Sequence, residues 1–182
     1  MADMQQIFKK YKQFSSTFKK TSFDEKNKIS LCNDTSQNVL NFDNMIKEKY
    51  TGKRERPKSF DALYKINTTF YLVEFKNQLP SQINKDKTSI QRKLIEGKKE
   101  LDEFLATCNI QKKDCLFKFC VVYKNFKKPH DEYKKGISNN IFKFGLKKYR
   151  NLVDDIKTDC VDEFTQLLNK RLTPTTLNCE HQ

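Results

Sequence analysis

The stretch SFDALYKINTTFYLVEFKNQ, Ser59 to Gln78, decides the fold. Two short runs rich in apolar and aromatic residues flank the Asn67-Thr68 pair, and Asp61, Glu74 and Lys76 stand inside them. Such runs on either side of a two-residue turn predict an antiparallel hairpin. With Ile66 facing Thr69, Asp61 faces Glu74, and a four-residue loop centred on the same pair leaves that register unchanged. The two carboxylates then project to one face with Cβ atoms about 5 Å apart. Lys76, two positions beyond Glu74, projects to that face as well.

Like charges directly opposed in a half-buried sheet cost stability, so something is expected to offset them. A divalent cation does so. Hard carboxylate oxygens at this separation suit Mg²⁺ or Mn²⁺, with positions left for water and a phosphate oxygen. An ammonium on the same face can then orient or deprotonate an attacking water while the metal stabilises transition-state charge. The alternative is a set of ion pairs with Lys65 and Lys76 on an exposed sheet face.

Outward from the hairpin, Val39, Phe42, Ile46 and Tyr50 form the apolar stripe of a helix from about Gln37 to Lys49. Asp43 falls within that stripe and Glu48 points nearly the opposite way. An acid on a buried face needs a partner or a metal, which makes Asp43 a third candidate ligand. A capping or surface role is the other reading of Asp43.

Residues 3 to 20 carry apolar positions at helical spacing, and Ile90, Leu94, Leu101, Phe104 and Leu105 predict a long helix from about Asp86 to Thr107. The run DCLFKFCVVYKN reads as a strand apolar on both faces, hence central in its sheet. Ile141 to Phe144 is a candidate outer strand, and Lys148 to Leu172 a final helix. The order predicts a single α/β domain over residues 1–182. Its core spans about 37–145, a central mixed sheet of about four strands flanked by helices, with an N-terminal helical extension over 1–36 and a C-terminal helix over 148–172.

The net charge of +13 is concentrated. Gln111 to Arg150 holds 12 Lys or Arg against 3 Asp or Glu, interleaved with Phe and Tyr, whereas Asn151 to Gln182 holds 3 against 6. Such a block suits a phosphate backbone, because each ammonium that replaces a condensed counterion adds affinity independent of sequence. It equally suits an acidic protein partner or a solvated face. Lys124, Lys127, Lys128, Lys134 and Lys135 are the candidate backbone contacts, and Gln78, on the face of Glu74 and Lys76, is a candidate contact to a phosphate or base. Six cysteines without a CxxC pair and only two histidines exclude the spacing of a structural zinc site. With no signal peptide and no long apolar run, the expectation is a cytoplasmic protein with reduced thiols and no membrane segment.

Asp61 followed by Glu74-Phe75-Lys76 resembles the PD-(D/E)xK nuclease superfamily, whose pattern is an acid on one strand and (D/E)-x-K on the next after a hairpin. The residues from about Gln37 to Lys124 supply elements in a compatible order. The resemblance implies a restriction-endonuclease-like fold. It makes Asp61 and Glu74 metal ligands for Mg²⁺ or Mn²⁺, Lys76 the residue that polarises water, and a helix acid such as Asp43 a plausible accessory ligand. The implied activity is metal-dependent hydrolysis of phosphodiester bonds in nucleic acid, DNA ahead of RNA. A symmetric double-strand cut would require a homodimer, and a toxin domain would have an inhibitor or immunity protein. Phe60 stands where the family's proline is usual, and Gln91 is followed four residues later by Ile95, so no QxxxY signature is present. The competing expectation is a nuclease-like fold without catalysis that binds nucleic acid or an acidic protein.

Overall fold

The computed structural model describes residues 4–78, 84–124 and 144–172. Along them run α1 (Met4–Lys10), β1 (Ser15–Thr17), α2 (Phe18–Thr21), β2 (Phe23–Asp24), β3 (Ile29–Ser30), β4 (Asn38–Asn41), α3 (Phe42–Lys49), β5 (Ala62–Ile66) and β6 (Thr69–Lys76). There follow α4 (Lys87–Thr107), β7 (Leu116–Tyr123), β8 (Asp155–Cys160) and α5 (Val161–Leu172). Six strands form one mixed sheet in the order β1-β4-β5-β6-β7-β8, antiparallel as far as β6 and parallel from β6 through β8. Strands β2 and β3 pair in a separate small hairpin.

The β5–β6 hairpin has the register its turn dictates, with Ile66 paired to Thr69 and the ladder running to Ala62 and Val73. Asn67 takes the left-handed φ of 51° that the tight turn demands, a conformation asparagine tolerates better than most side chains. Strand β7 lies between β6 and β8 and is apolar on both faces, as its sequence requires of a central strand. On one face, Leu63, Leu72, Phe119 and Val121 meet Ile90, Leu94, Leu101 and Leu105 of α4. On the other, Tyr71, Val73, Cys120 and Val122 meet Phe18 of α2 and Phe164 and Leu168 of α5. Helices thus cover both faces, an α/β arrangement.

The sheet is larger than the expected four strands, and each added strand lies where a helix was expected. Asn38–Asn41 is β4, not the first turn of a helix from Gln37; Val39 and Leu40 are buried in opposite cores, so the strand shows no polar alternation. Helix α3 begins only where the Asn41 side chain accepts a hydrogen bond from the Asn44 N–H at 3.0 Å. The helix expected over residues 3–20 is broken into α1, a 3-10 turn, β1 and α2, whose start is capped by Thr17. The helix expected from Lys148 begins at Val161, and Asp155–Cys160 is an edge strand parallel to β7. Of the expected outer strand, residues 141–143 lie outside the described residues, and Phe144 takes a left-handed turn conformation at φ 38°.

One close approach fixes where α4 crosses the sheet. Gly97 continues the apolar stripe of α4, and a Cβ there would stand 3.0 Å from the Phe60 ring and 3.4 Å from the Ser59 Cα. Phe60 in turn stacks on Phe42 of α3 with ring centroids 4.3 Å apart. Gly97→Val would force branched carbons into this contact and is expected to lower the unfolding free energy by about 1–3 kcal/mol. Urea denaturation measures it; wild-type stability in the variant would show that the Phe60 ring yields freely.

Candidate active site

The hairpin delivers Asp61 and Glu74 to the same place, at the C-terminal end of β6 beside the N-terminal end of β5. Glu74 is held by strand pairing, opposite Val121 in the parallel ladder to β7, and its side chain is wholly buried. Asp61 lies one residue outside the β5 ladder. Its N–H donates to the Val73 carbonyl at 3.0 Å, and its Oδ2 accepts the Phe75 N–H at 2.7 Å. A carboxylate oxygen thereby takes the place of a main-chain acceptor, and Asp61 is locked opposite Glu74 with 21% of its side chain exposed.

The charge that offsets the pair comes from α4. Lys93 Nζ donates to Glu74 Oε1 at 2.8 Å, to Glu74 Oε2 at 2.7 Å and to Asp61 Oδ1 at 3.3 Å. Lys76 lies beside this bridge, 3.3 Å from Glu74 Oε1 and 3.3 Å from Asp86 Oδ2. Asp86 occupies the N-cap position of α4 without capping it, its carboxylate turned to Lys76 instead.

Asp43 reaches the rim of the site because the Phe42 N–H donates to the Asp61 carbonyl at 3.1 Å. Its carboxylate is engaged by Ser59 Oγ at 2.7 Å, Lys47 at 2.9 Å and Arg56 at 3.3 Å. Burial would raise its pKa, but Lys47, Ser59 and Arg56 outweigh that and hold it below the usual carboxylate range. Among the described residues no three Asp, Glu, His or Cys side chains gather to hold one ion. The expected trio of Asp61, Glu74 and Asp43 is therefore a pair with a third acid acting through space.

Burial first, and the Glu74 carboxylate second, push the Asp61 carboxyl up from 3.8 to about 7; Lys93 and the Phe75 N–H oppose the rise without cancelling it. Burial would lower Lys93, but Glu74 and Asp61 more than reverse this and hold its ammonium above the ordinary range. Asp61 and Glu74 aim oxygens at a single cation, and two carboxylates suit a hard divalent ion that keeps much of its water. The residues present fit Mg²⁺ or Mn²⁺, with the ammonium of Lys93 as the stand-in charge.

The other expected contacts distribute unevenly. Gln78 follows β6, and its side-chain oxygen is buried without a hydrogen-bond partner among the described residues. Lys124 directly follows β7, next to the Lys76–Tyr123 rung. Lys127, Lys128, Lys134 and Lys135 lie outside the described residues. Lys93, Asp86 and Ser59 are site residues that the sequence reading passed over. Lys93 sits three residues after Ile90 and one before Leu94, at the edge of the apolar stripe, which is the signal that could have found it.

No family model, no curated protein and no solved structure matches the chain.

Lys93→Met leaves two opposed carboxylates without their counter-charge. In metal-free buffer near pH 7 it is expected to cost about 3 kcal/mol of stability, the low end for breaking a buried pair, because Asp61 can take up a proton. Chemical denaturation checks this. Since the folded-state pKa of Asp61 is raised, its contribution to stability is full below about pH 4 and is lost as pH rises through about 7. The stability difference between wild type and Asp61→Asn should therefore move against the wild type between those pH values, and a constant difference would overturn the shift.

Proposed function

We propose that the chain is a divalent-metal-dependent nuclease of the PD-(D/E)xK kind, hydrolysing phosphodiester bonds with Asp61, Glu74 and Lys76. The observation that carries this reading is the convergence of a wholly buried and a half-buried carboxylate on one cation position, with a second ammonium alongside. The position also favours it, since ligands of open sheets with parallel strands bind at the carboxyl ends of those strands. Asp61 and Glu74 would hold Mg²⁺ or Mn²⁺, which when bound supplies Lewis-acid polarisation of a phosphoryl oxygen.

The remaining chemistry falls to the chain itself. Lys76 is held between Glu74 and Asp86 with only 15% of its side chain exposed, placed to orient a water for in-line attack. Gln78 and Lys124 follow β6 and β7 at this end of the sheet, and the base-rich block after β7 offers charge to a phosphate backbone. DNA as the preferred substrate over RNA rests on the family resemblance, as do a homodimer for a symmetric cut and an inhibitor protein for a toxin domain.

A second reading has its own observation. Lys93 satisfies both carboxylates without any metal, as a self-neutralised ion-pair network would in a nuclease-like fold that only binds nucleic acid or an acidic protein.

Incubation of the protein with supercoiled plasmid and with structured RNA, in Mg²⁺, Mn²⁺ or EDTA, separates the two. Under the first reading a polymer is cut only with metal, and Lys76→Ala slows cutting by about 10²–10⁴-fold, the usual weight of a positioned proton-transfer group. Glu74→Gln should abolish cutting. Neither polymer cut, with binding that weakens steeply as salt rises, would establish the binding module.

A further inference from the structure

We propose that Lys93 is a built-in competitor for the metal position: its ammonium and a divalent cation claim the same place between Asp61 and Glu74, so loading the site requires Lys93 to swing out. The proposal rests on the metal-dependent reading above and goes beyond it by assigning Lys93 a role.

The geometry points to competition rather than to simple bracing. An ammonium has three donors, and those of Lys93 are matched by Glu74 Oε1, Glu74 Oε2 and Asp61 Oδ1. These are the oxygens that a cation between the two side chains would need. Lys93 is not the sole support of the two carboxylates. Asp61 is fixed through Oδ2 by the Phe75 N–H, and Glu74, on a strand paired to β7, keeps Lys76 at 3.3 Å from Oε1. The pair therefore stays in position when Lys93 leaves.

Lys93 is also free to depart. It is carried by a flexible stem on α4 and keeps 19% of its side chain exposed, so a path to solvent is open. Outside the pair it remains in the field of Asp43, which already acts on its ammonium. A site filled by its own lysine binds metal with an affinity reduced by the fraction of time the lysine is out; occupancy of about nine-tenths by Lys93 weakens apparent binding about tenfold.

The test is calorimetric titration of Mn²⁺, and separately of Mg²⁺, into the full chain as wild type, Lys93→Met, Lys93→Arg and Glu74→Gln. Lys93→Met should bind about tenfold more tightly than wild type or more, Lys93→Arg should stay near the wild-type value, and Glu74→Gln should lose binding. On wild type alone, pulse acylation with acetic anhydride read by mass spectrometry should modify Lys93 faster with Mn²⁺ present, while Lys98, paired with Asp102, is unchanged. This second measurement decides the matter if Lys93→Met does not fold. Metal binding by wild type with equal or weaker binding by Lys93→Met, or with no change in Lys93 acylation, overturns the competition and leaves the nuclease reading standing. No binding of either ion by any variant overturns both.

Discussion

The structure depends on a repulsion that the backbone imposes. A two-residue turn at Asn67-Thr68 sets the register of β5 against β6, and that register leaves Asp61 and Glu74 nowhere else to go. Glu74 pairs with Val121 of β7, and β6 is flanked by β5 on its other side, so the side chain cannot leave the buried face without disturbing the middle of the sheet. Unit charges about 4 Å apart at an effective dielectric near 20 repel by about 4 kcal/mol. That is comparable with the whole stability of many domains. Relief has to come from an element outside the hairpin, and α4 provides it through Lys93.

Relief of this kind requires α4 to cross at a fixed height and rotation, which the segment Arg56–Phe60 secures. Within it, the Lys58 N–H donates to Glu96 of α4 at 2.6 Å, Ser59 donates to Asp43 of α3, and Phe60 fits the gap left by Gly97 while stacking on Phe42. One short loop thus ties α3, α4 and the start of β5 together immediately before Asp61. Gly97 is one helical turn beyond Lys93, so the contact that lets α4 approach the sheet also sets the distance from Lys93 to the carboxylates. Packing and electrostatics at this point are one constraint, because a shift of α4 that relaxed the Phe60 contact would stretch bonds to a wholly buried glutamate.

The sequence makes the hairpin, its register, the central strand β7 and the helix α4 legible, because each has a strong local signal: a turn pair, an apolar run or a long 3.6-residue period. The opposed carboxylates follow from the same register, and their elements are found together. What the sequence leaves hidden has physical causes. Strand β4 is too short, and too buried on both faces, for Val39 and Leu40 to alternate with polar residues. Strand β8 does alternate, with Asp155, Lys157 and Asp159 against Ile156, Thr158 and Cys160, but it runs directly into α5 and Cys160 extends the helical stripe of Phe164 and Leu168. Lys93 is hidden for another reason: a lysine at the edge of an apolar stripe looks like a solvated flank until the strand beneath it is known to carry acids.

Departures from what folding alone favours collect at one end of the central strands. Opposed acids stand in a buried register, a carboxylate substitutes for a main-chain acceptor, and a glycine interrupts the middle of a helix where alanine would favour it by about 1 kcal/mol. Asp86 stands at an N-cap yet turns to Lys76, forgoing a capping bond of about 1 kcal/mol. Elsewhere the chain follows the ordinary rules: Asn41 and Thr17 cap their helices, and the two cores are filled by Leu, Val, Phe and Tyr. Sequences break local rules where another requirement outweighs stability, and four breaks within one cluster are hard to reconcile with an ion-pair network selected only to hold the fold. A hydrophobic pair at positions 61 and 74 would serve that purpose better, since buried charge pairs seldom surpass well-packed apolar side chains in stability. Two acids and two lysines gathered at the carboxyl end of β6 are what the proposed metal site, in which one cation would give way to another, would require.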